Sequence, residues 1–223
     1  MDLAWAQDFV VPLRFGSSVM PRRPPIELAT IEPMLPMVSK LLPRSGSWHH
    51  EFKLDGYHVL AAREALRTKG GVDATTWFPE ITASLTGLPT GHHIIDAEVC
   101  VLVDGRSDFE QLHKRALRRR WYPGAPPVVL CAFDLLVHAG VDIRGKPIEE
   151  RKARLAKLVE GLPSVLYVSA IDDGAAAWSA VLAWQLEGLV AKRAGSVYVA
   201  GPSRDWLKIK RPGATFRGFK RDF

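Results

Sequence analysis

The sequence predicts an α+β domain built on twisted, mainly antiparallel sheets flanked by helices. Strand-length runs rich in Val, Ile, Leu and aromatic residues are interleaved irregularly with amphipathic helical stretches, without an internal repeat or regular strand-helix-strand spacing. With 223 residues, 47% hydrophobic and 24% charged, the chain can fill one sizeable core and is too apolar for disorder over most of its length.

Taken in order, residues 1–30 hold Pro12, Pro21, Arg22, Arg23, Pro24 and Pro25, which interrupt both helices and central strands and read as a basic, irregular arm. A folded domain is expected over 31–212, followed by a short basic tail at 213–223. Strands are expected at 49–54, 57–63, 94–103, 128–136, 188–193 and 205–210. Ser107-Asp-Phe-Glu110 has the pattern of a capping box and predicts a helix reaching about Arg120. Further helices are expected over 148–160, ending at Gly161, and from Ala175 to Leu186, ending before Gly188.

A net charge of +6 and a pI near 9.5 fit a partner carrying phosphates, although ribosome-type or membrane-surface binding fits the same charge. Cys100 and Cys131 lie in apolar runs without metal-ligand spacing and read as reduced core residues. Met1 to Val11 lacks the apolar stretch of a signal peptide, and no segment is apolar for long enough to span a bilayer, so a cytoplasmic, nucleoid-associated location is expected. Walker-type phosphate loops, zincin patterns and EF-hand patterns are absent.

The chemistry is concentrated in Glu51-Phe-Lys53-Leu-Asp55-Gly56. Extended backbone would set Glu51, Lys53 and Asp55 on one face and turn Phe52 and Leu54 into the core, an arrangement suited to a lysine nucleophile and also to a salt-bridged surface strand. Four later segments decide between these: Asp96-Ala-Glu98-Val, Phe133-Asp134-Leu-Leu, Glu187-Gly188-Leu-Val-Ala-Lys192 and Trp206-Leu-Lys208-Ile-Lys210. On an extended Trp206–Lys210 segment the two lysines share one face while Leu207 and Ile209 bury the other.

In this order the five segments resemble the motifs of covalent nucleotidyltransferases, most closely the adenylation domain of ATP-dependent DNA ligases of the bacterial ligase D type. The resemblance runs from Pro33 to Lys210 and includes Phe78-Pro79-Glu80-Ile81, Gly105 to Phe109 and Pro147 to Lys152. It implies an ATP-grasp-like nucleotidyltransferase fold, ATP and Mg²⁺ (with Mn²⁺ as an alternative) as cofactors, and nicked or broken duplex DNA as substrate. Lys53 then matches the catalytic nucleophile. Glu51 matches the residue reading the adenine edge, Phe133 the aromatic stacked on the base, and Lys192, Lys208 and Lys210 the phosphate-binding lysines. Glu98 matches a position near ribose and metal, and Glu187 a metal ligand. Lysine attacks through its neutral amine, and Lys192, Lys208, Lys210 and the metal are the cations expected to favour loss of the ammonium proton. For DNA the candidates are His58, Lys69 and the helical cluster Lys114, Arg115, Arg118, Arg119 and Arg120.

Two departures from the family pattern stand out. His58 occupies a position where the family carries arginine, and it is expected to be shorter and largely neutral at pH 7. The chain ends thirteen residues after Lys210, where a family member continues into an OB-fold. The expectation is therefore an adenylation domain without an OB-fold, compensated by its basic arm (Arg14 to Arg23), its tail (Arg217, Lys220, Arg221) or a protein partner. The competing readings are a non-catalytic or step-limited nucleic-acid-binding remnant and an RNA ligase or capping-type enzyme.

Overall fold

The computed structural model describes residues 26–214, so the expected contacts of Arg14 to Arg23 and of Arg217 to Arg221 lie outside the described residues. After a 3₁₀ turn (Leu28–Thr30) come β1 (Met34–Ser39), β2 (Trp48–Phe52), β3 (Tyr57–Ala62) and β4 (Ala65–Thr68). Helix α1 (Pro79–Leu85) leads to β5 (Ile94–Cys100), the hairpin β6 (Leu102–Val103) and β7 (Arg106–Ser107), and α2 (Phe109–Ala116). The chain continues through β8 (Val129–His138), β9 (Val141–Asp142), α3 (Ile148–Leu158), β10 (Val165–Tyr167), α4 (Gly174–Ala183), β11 (Gly188–Arg193) and β12 (Gly201–Lys210).

One sheet has the order β1-β12-β11-β2 and a second has β10-β8-β5-β3-β4, with β9 also paired to β8. Only β1/β12 and β10/β8 run parallel; the other pairings are antiparallel. All six expected strands are present, but the 94–103 run divides into β5 and the first strand of a separate hairpin.

Side-chain alternation gives each sheet an outer and an inner face. On the second sheet, Val59, Ala61, Ile95, Ala97, Val99, Leu130 and Ala132 form the main core with Ile81 and Leu85 of α1, Leu112 of α2 and Leu155 of α3. The alternate residues Leu60, Ile94 and Leu136 turn inward and meet Ile31, Met34, Tyr198 and Trp206 in a second core. On the first sheet, Leu189 packs with Ala177 and Val181 of α4, and Ile209 packs with Trp48 and Ala191. The inner faces are thereby left to form the walls of a cleft.

The capping expectation needs correction. Asp108, not Ser107, caps α2 by accepting from the Gln111 amide, while the Ser107 hydroxyl accepts from the Asp55 amide at 3.0 Å. Helix α2 ends at Ala116, so Arg118, Arg119 and Arg120 occupy the turn beyond it. Arg119 adopts φ 53°, which is incompatible with continued helix. Arg115 is also no surface cation, because it is fully buried and holds Glu80 at 2.6 Å.

Candidate active site

A cavity of about 620 Å³ opens between the sheets, the size expected for a small-molecule site. Its walls bring together Glu51, Lys53, His58, Lys69, Glu98, Phe133, Glu187, Lys192, Lys208 and Lys210, which the sequence had scattered over 160 residues. Arg118, Arg119 and Arg120 do not line it; they are exposed outside, with Arg118 over the Tyr122 ring and Arg119 over the Trp77 ring.

Lys53 follows the last residue of β2, and its amide still donates to the Gly188 carbonyl of β11. This bond sets the side chain against Glu187. The Lys53 Nζ lies 2.7 Å from Glu187 Oε2, and Lys210 Nζ lies 2.8 Å from Oε1 of the same carboxylate. Glu51 and Asp55 were the carboxylates expected on the face of Lys53, yet the acid paired with its amine is Glu187. Glu187 is thus a carboxylate within proton-transfer distance of the Lys53 amine. The alternation expected after Glu51 holds in part: Phe52 packs against the Ala177, Val181 and Leu189 core as well as the exposed ring of Trp184, whereas Leu54 lines the cavity.

Lys208 and Lys210 point into the cleft, while Leu207 and Ile209 pack on the other side. In the β11/β12 register Gly188 faces Lys210, Val190 faces Lys208 and Lys192 faces Trp206, so Lys192 sits at the far end of the lysine row. There it is 1% exposed, pairs with Glu51 at 2.7 Å and lies 4.6 and 4.2 Å from the Phe133 and Trp206 ring centres. Burial, helped by the like charge of Lys152, pulls its pKa below the usual lysine value against the attraction of Glu51.

His58 is likewise a cavity residue. Its Nε2 lies 2.5 Å from Asp96, whose other oxygen accepts from the Tyr198 hydroxyl at 2.7 Å; that hydroxyl accepts from the Met34 amide of β1. Burial opposes protonation, but the charge and hydrogen bond of Asp96 outweigh it and raise the His58 pKa above its ordinary value. The shift runs against the expectation of a largely neutral ring by favouring the protonated form. Asp96 lies in one of the motif segments without being assigned a role there, and the long-range contacts of Tyr198, Ser107 and Lys152 have no local signature because each spans more than 50 residues of sequence.

Residues 33–210 match the family described as ATP dependent DNA ligase domain. The chain belongs to that family. Among relatives of this ligase domain, the multifunctional non-homologous end joining protein LigD of Pseudomonas aeruginosa is 34% identical over 75% of this chain and 20% of its own length. The SPbeta prophage-derived DNA ligase-like protein LigB of Bacillus subtilis is 31% identical over 71% of this chain and 59% of its own. A solved structure of mycobacterial DNA ligase D complexed with ATP and MES superposes with a TM-score of 0.73 at 28% identity, covering 83% of this chain and 62% of that one. The ligase domain described here thus spans less than two thirds of each of these relatives, and the ligase adenylation fold expected from the motifs is the fold observed.

Glu98 and Glu187 are the carboxylates of the cavity that would hold a magnesium ion. Glu187 already turns both oxygens toward positive charge, and Glu98 lines the same cavity. Among the described residues no group of three or more His, Cys, Asp or Glu is arranged to hold a metal. Mg²⁺ is commonly held by one or two carboxylates together with substrate phosphates, which suits this donor set. Also among the described residues, no helix is long and apolar enough to cross a membrane.

Proposed function

We propose that the chain is the nucleotidyl-transferring part of an ATP-dependent DNA ligase that seals 5′-phosphate/3′-hydroxyl breaks in duplex DNA. Lys53 Nζ attacks the α-phosphate of ATP, a nitrogen–phosphorus bond forms, pyrophosphate leaves, and the amine proton passes toward Glu187. The lysine-bound AMP then moves to the 5′-phosphate of the break, and the 3′-hydroxyl displaces it. The observation that carries this reading is the Lys53–Glu187–Lys210 cluster at the wall of a nucleotide-sized cavity.

In this reading Lys208 and Lys210 hold the phosphates, and Glu98 and Glu187 hold Mg²⁺ or Mn²⁺. The metal, when bound, supplies positive charge against the charge developing at the phosphate. Phe133 stacks on the base and Glu51 meets its edge. Lys69 and His58 face the phosphate side of the cleft, while Arg118, Arg119 and Arg120 contact the DNA backbone outside it. The LigD relatives are named for non-homologous end joining, and repair by end joining is the role this reading takes for the chain; a nucleoid location and a protein partner that helps hold the DNA belong to the same proposal.

Intact mass measured before and after incubation with ATP and Mg²⁺, then with nicked duplex, tests the proposal. One adenylate is expected in the native protein, none in Lys53→Ala, and its discharge by the nick with strand closure. An adduct persisting in Lys53→Ala, or nicked DNA that neither removes it nor becomes sealed, would overturn the assignment.

A further inference from the structure

The cavity has two chemically different ends. Lys53, Glu187, Lys208 and Lys210 make one end charged and suited to phosphates, while Phe133, Trp206, Met34 and Val168 make the other apolar and suited to a base. At the apolar end the carboxylate of Glu51 is 4% exposed and doubly paired: Oε1 lies 2.5 Å from Lys152 Nζ, and Oε2 lies 2.7 Å from Lys192 Nζ.

Counting protons shows what this wall offers to a base. An ammonium has three donors, and Lys152 directs its own at Glu51, at the Val168 carbonyl (2.8 Å) and at the Phe133 carbonyl (3.4 Å). Lys192 donates to Glu51 and to the Phe133 carbonyl at 3.3 Å, with its remaining side toward the Phe133 and Trp206 rings. A carboxylate has about four lone-pair sites, of which the two lysines take two. Acceptor capacity is what remains.

Stability alone gives no reason for the second lysine. The neighbouring Asp134 is already neutralised by Arg151, both fully buried, and Lys192 by itself would neutralise Glu51. Lys152 adds a buried charge that is expensive to desolvate. It also joins three separate elements, β2 through Glu51, β8 through Phe133 and the segment after β10 through Val168.

We propose that Lys152 is a positioning residue for base selection: it fixes Glu51 as an acceptor-only edge, so that the site takes a purine bearing an exocyclic amine and refuses one bearing a carbonyl there. This rests on the cavity being the nucleotide site of the proposed ligase, and extends that reading to what selects the nucleotide.

Equilibrium binding of ATP, purine riboside triphosphate (no substituent) and inosine triphosphate (a carbonyl), measured calorimetrically on the full chain, tests it. ATP should bind more tightly than the unsubstituted purine by on the order of ten- to a hundredfold, the effect of one hydrogen bond to a charged group, and inosine triphosphate should bind more weakly still. Lys152→Met, which leaves Glu51 paired with Lys192, should shrink the ATP preference to about threefold, while Lys152→Gln, still a donor, should retain most of it. Wild-type protein binding all three equally would overturn the proposal without recourse to any variant. So would Lys152→Met keeping the wild-type ratio, or weakening all three nucleotides and inorganic pyrophosphate by one common factor. Binding does not require Lys53 to react. Discrimination without a covalent adduct would sink the ligase reading alone, and an adduct without discrimination would sink only this one.

Discussion

Lys53 and Glu187 act on each other before any substrate arrives. Their 2.7 Å ion pair holds the Lys53 amine in place, and Lys210 on the second oxygen keeps the carboxylate from following it. Replacing Glu187 with Gln removes the charge but keeps the shape, so folding should be little changed while adenylate formation falls by about a hundredfold or more, read by single-turnover mass measurement. A near-native rate would remove Glu187 from the chemistry. His58 allows a prediction about pH. Its pKa is raised on folding, so the stability it contributes is full below its unfolded value near 6.5 and is lost as pH rises through the folded value. Urea unfolding at about pH 6 and about pH 9 should therefore show a larger loss for wild type than for His58→Gln. Equal losses in the two proteins would mean that Asp96 does not hold an imidazolium. The Lys53, Glu98, Glu187 and Lys208 positions were legible because each sits in a short run of distinctive residue types, even though Lys53 meets Glu187 across 134 residues. Tyr198 and Lys152 were not, because nothing in the residues around them marks Asp96 and Glu51, about a hundred residues away, as their partners.

At the scale of elements, the strands that carry the site were visible in the sequence because β-branched and aromatic runs mark them, and β3, β5, β8, β11 and β12 appear close to where they were expected. Proline hid β1 and α1. In β1, Pro36 falls at a register shift against β12, a position where a missing amide is tolerated, and in α1 Pro79 takes the first helical position. The two motif glycines were legible only as letters, and the structure supplies their reason. A Cβ on Gly56 would lie 2.1 Å from the Val99 carbonyl and 2.9 Å from Glu98 Cγ, and one on Gly188 would lie 2.0 Å from the Ile209 carbonyl. Each glycine lets the turn beside a site residue press against the next strand. Gly56→Ala should destabilise the fold by about 1–3 kcal/mol or more, because the contact is with backbone and cannot swing away. It should also displace Lys53 and slow adenylate formation beyond what the stability loss explains. Wild-type melting and wild-type rate in that variant would show that close approach is not why glycine stands there.

For the whole molecule, the decisive fact is that the site belongs to neither sheet. Lys53, Glu187, Lys208 and Lys210 come from the first sheet and its edge, whereas His58, Glu98 and Phe133 come from the second. A ligand that touches both walls binds only while they face each other, so its binding energy becomes stability of the complete fold. At about a hundred times its dissociation constant, a nucleotide adds about 2.7 kcal/mol. For a domain of this size that corresponds to a rise of roughly 5–10 °C in melting temperature. Scanning calorimetry on Lys53→Ala, in which no covalent adduct forms, isolates this effect. ATP should raise a single transition by that amount, and pyrophosphate, which can engage only the charged end, should raise it less. An equal rise from the two would place all the binding energy at the phosphates and leave the apolar end of the cavity without a role. A transition that splits when ATP is added would mean that the ligand is held by one sheet alone.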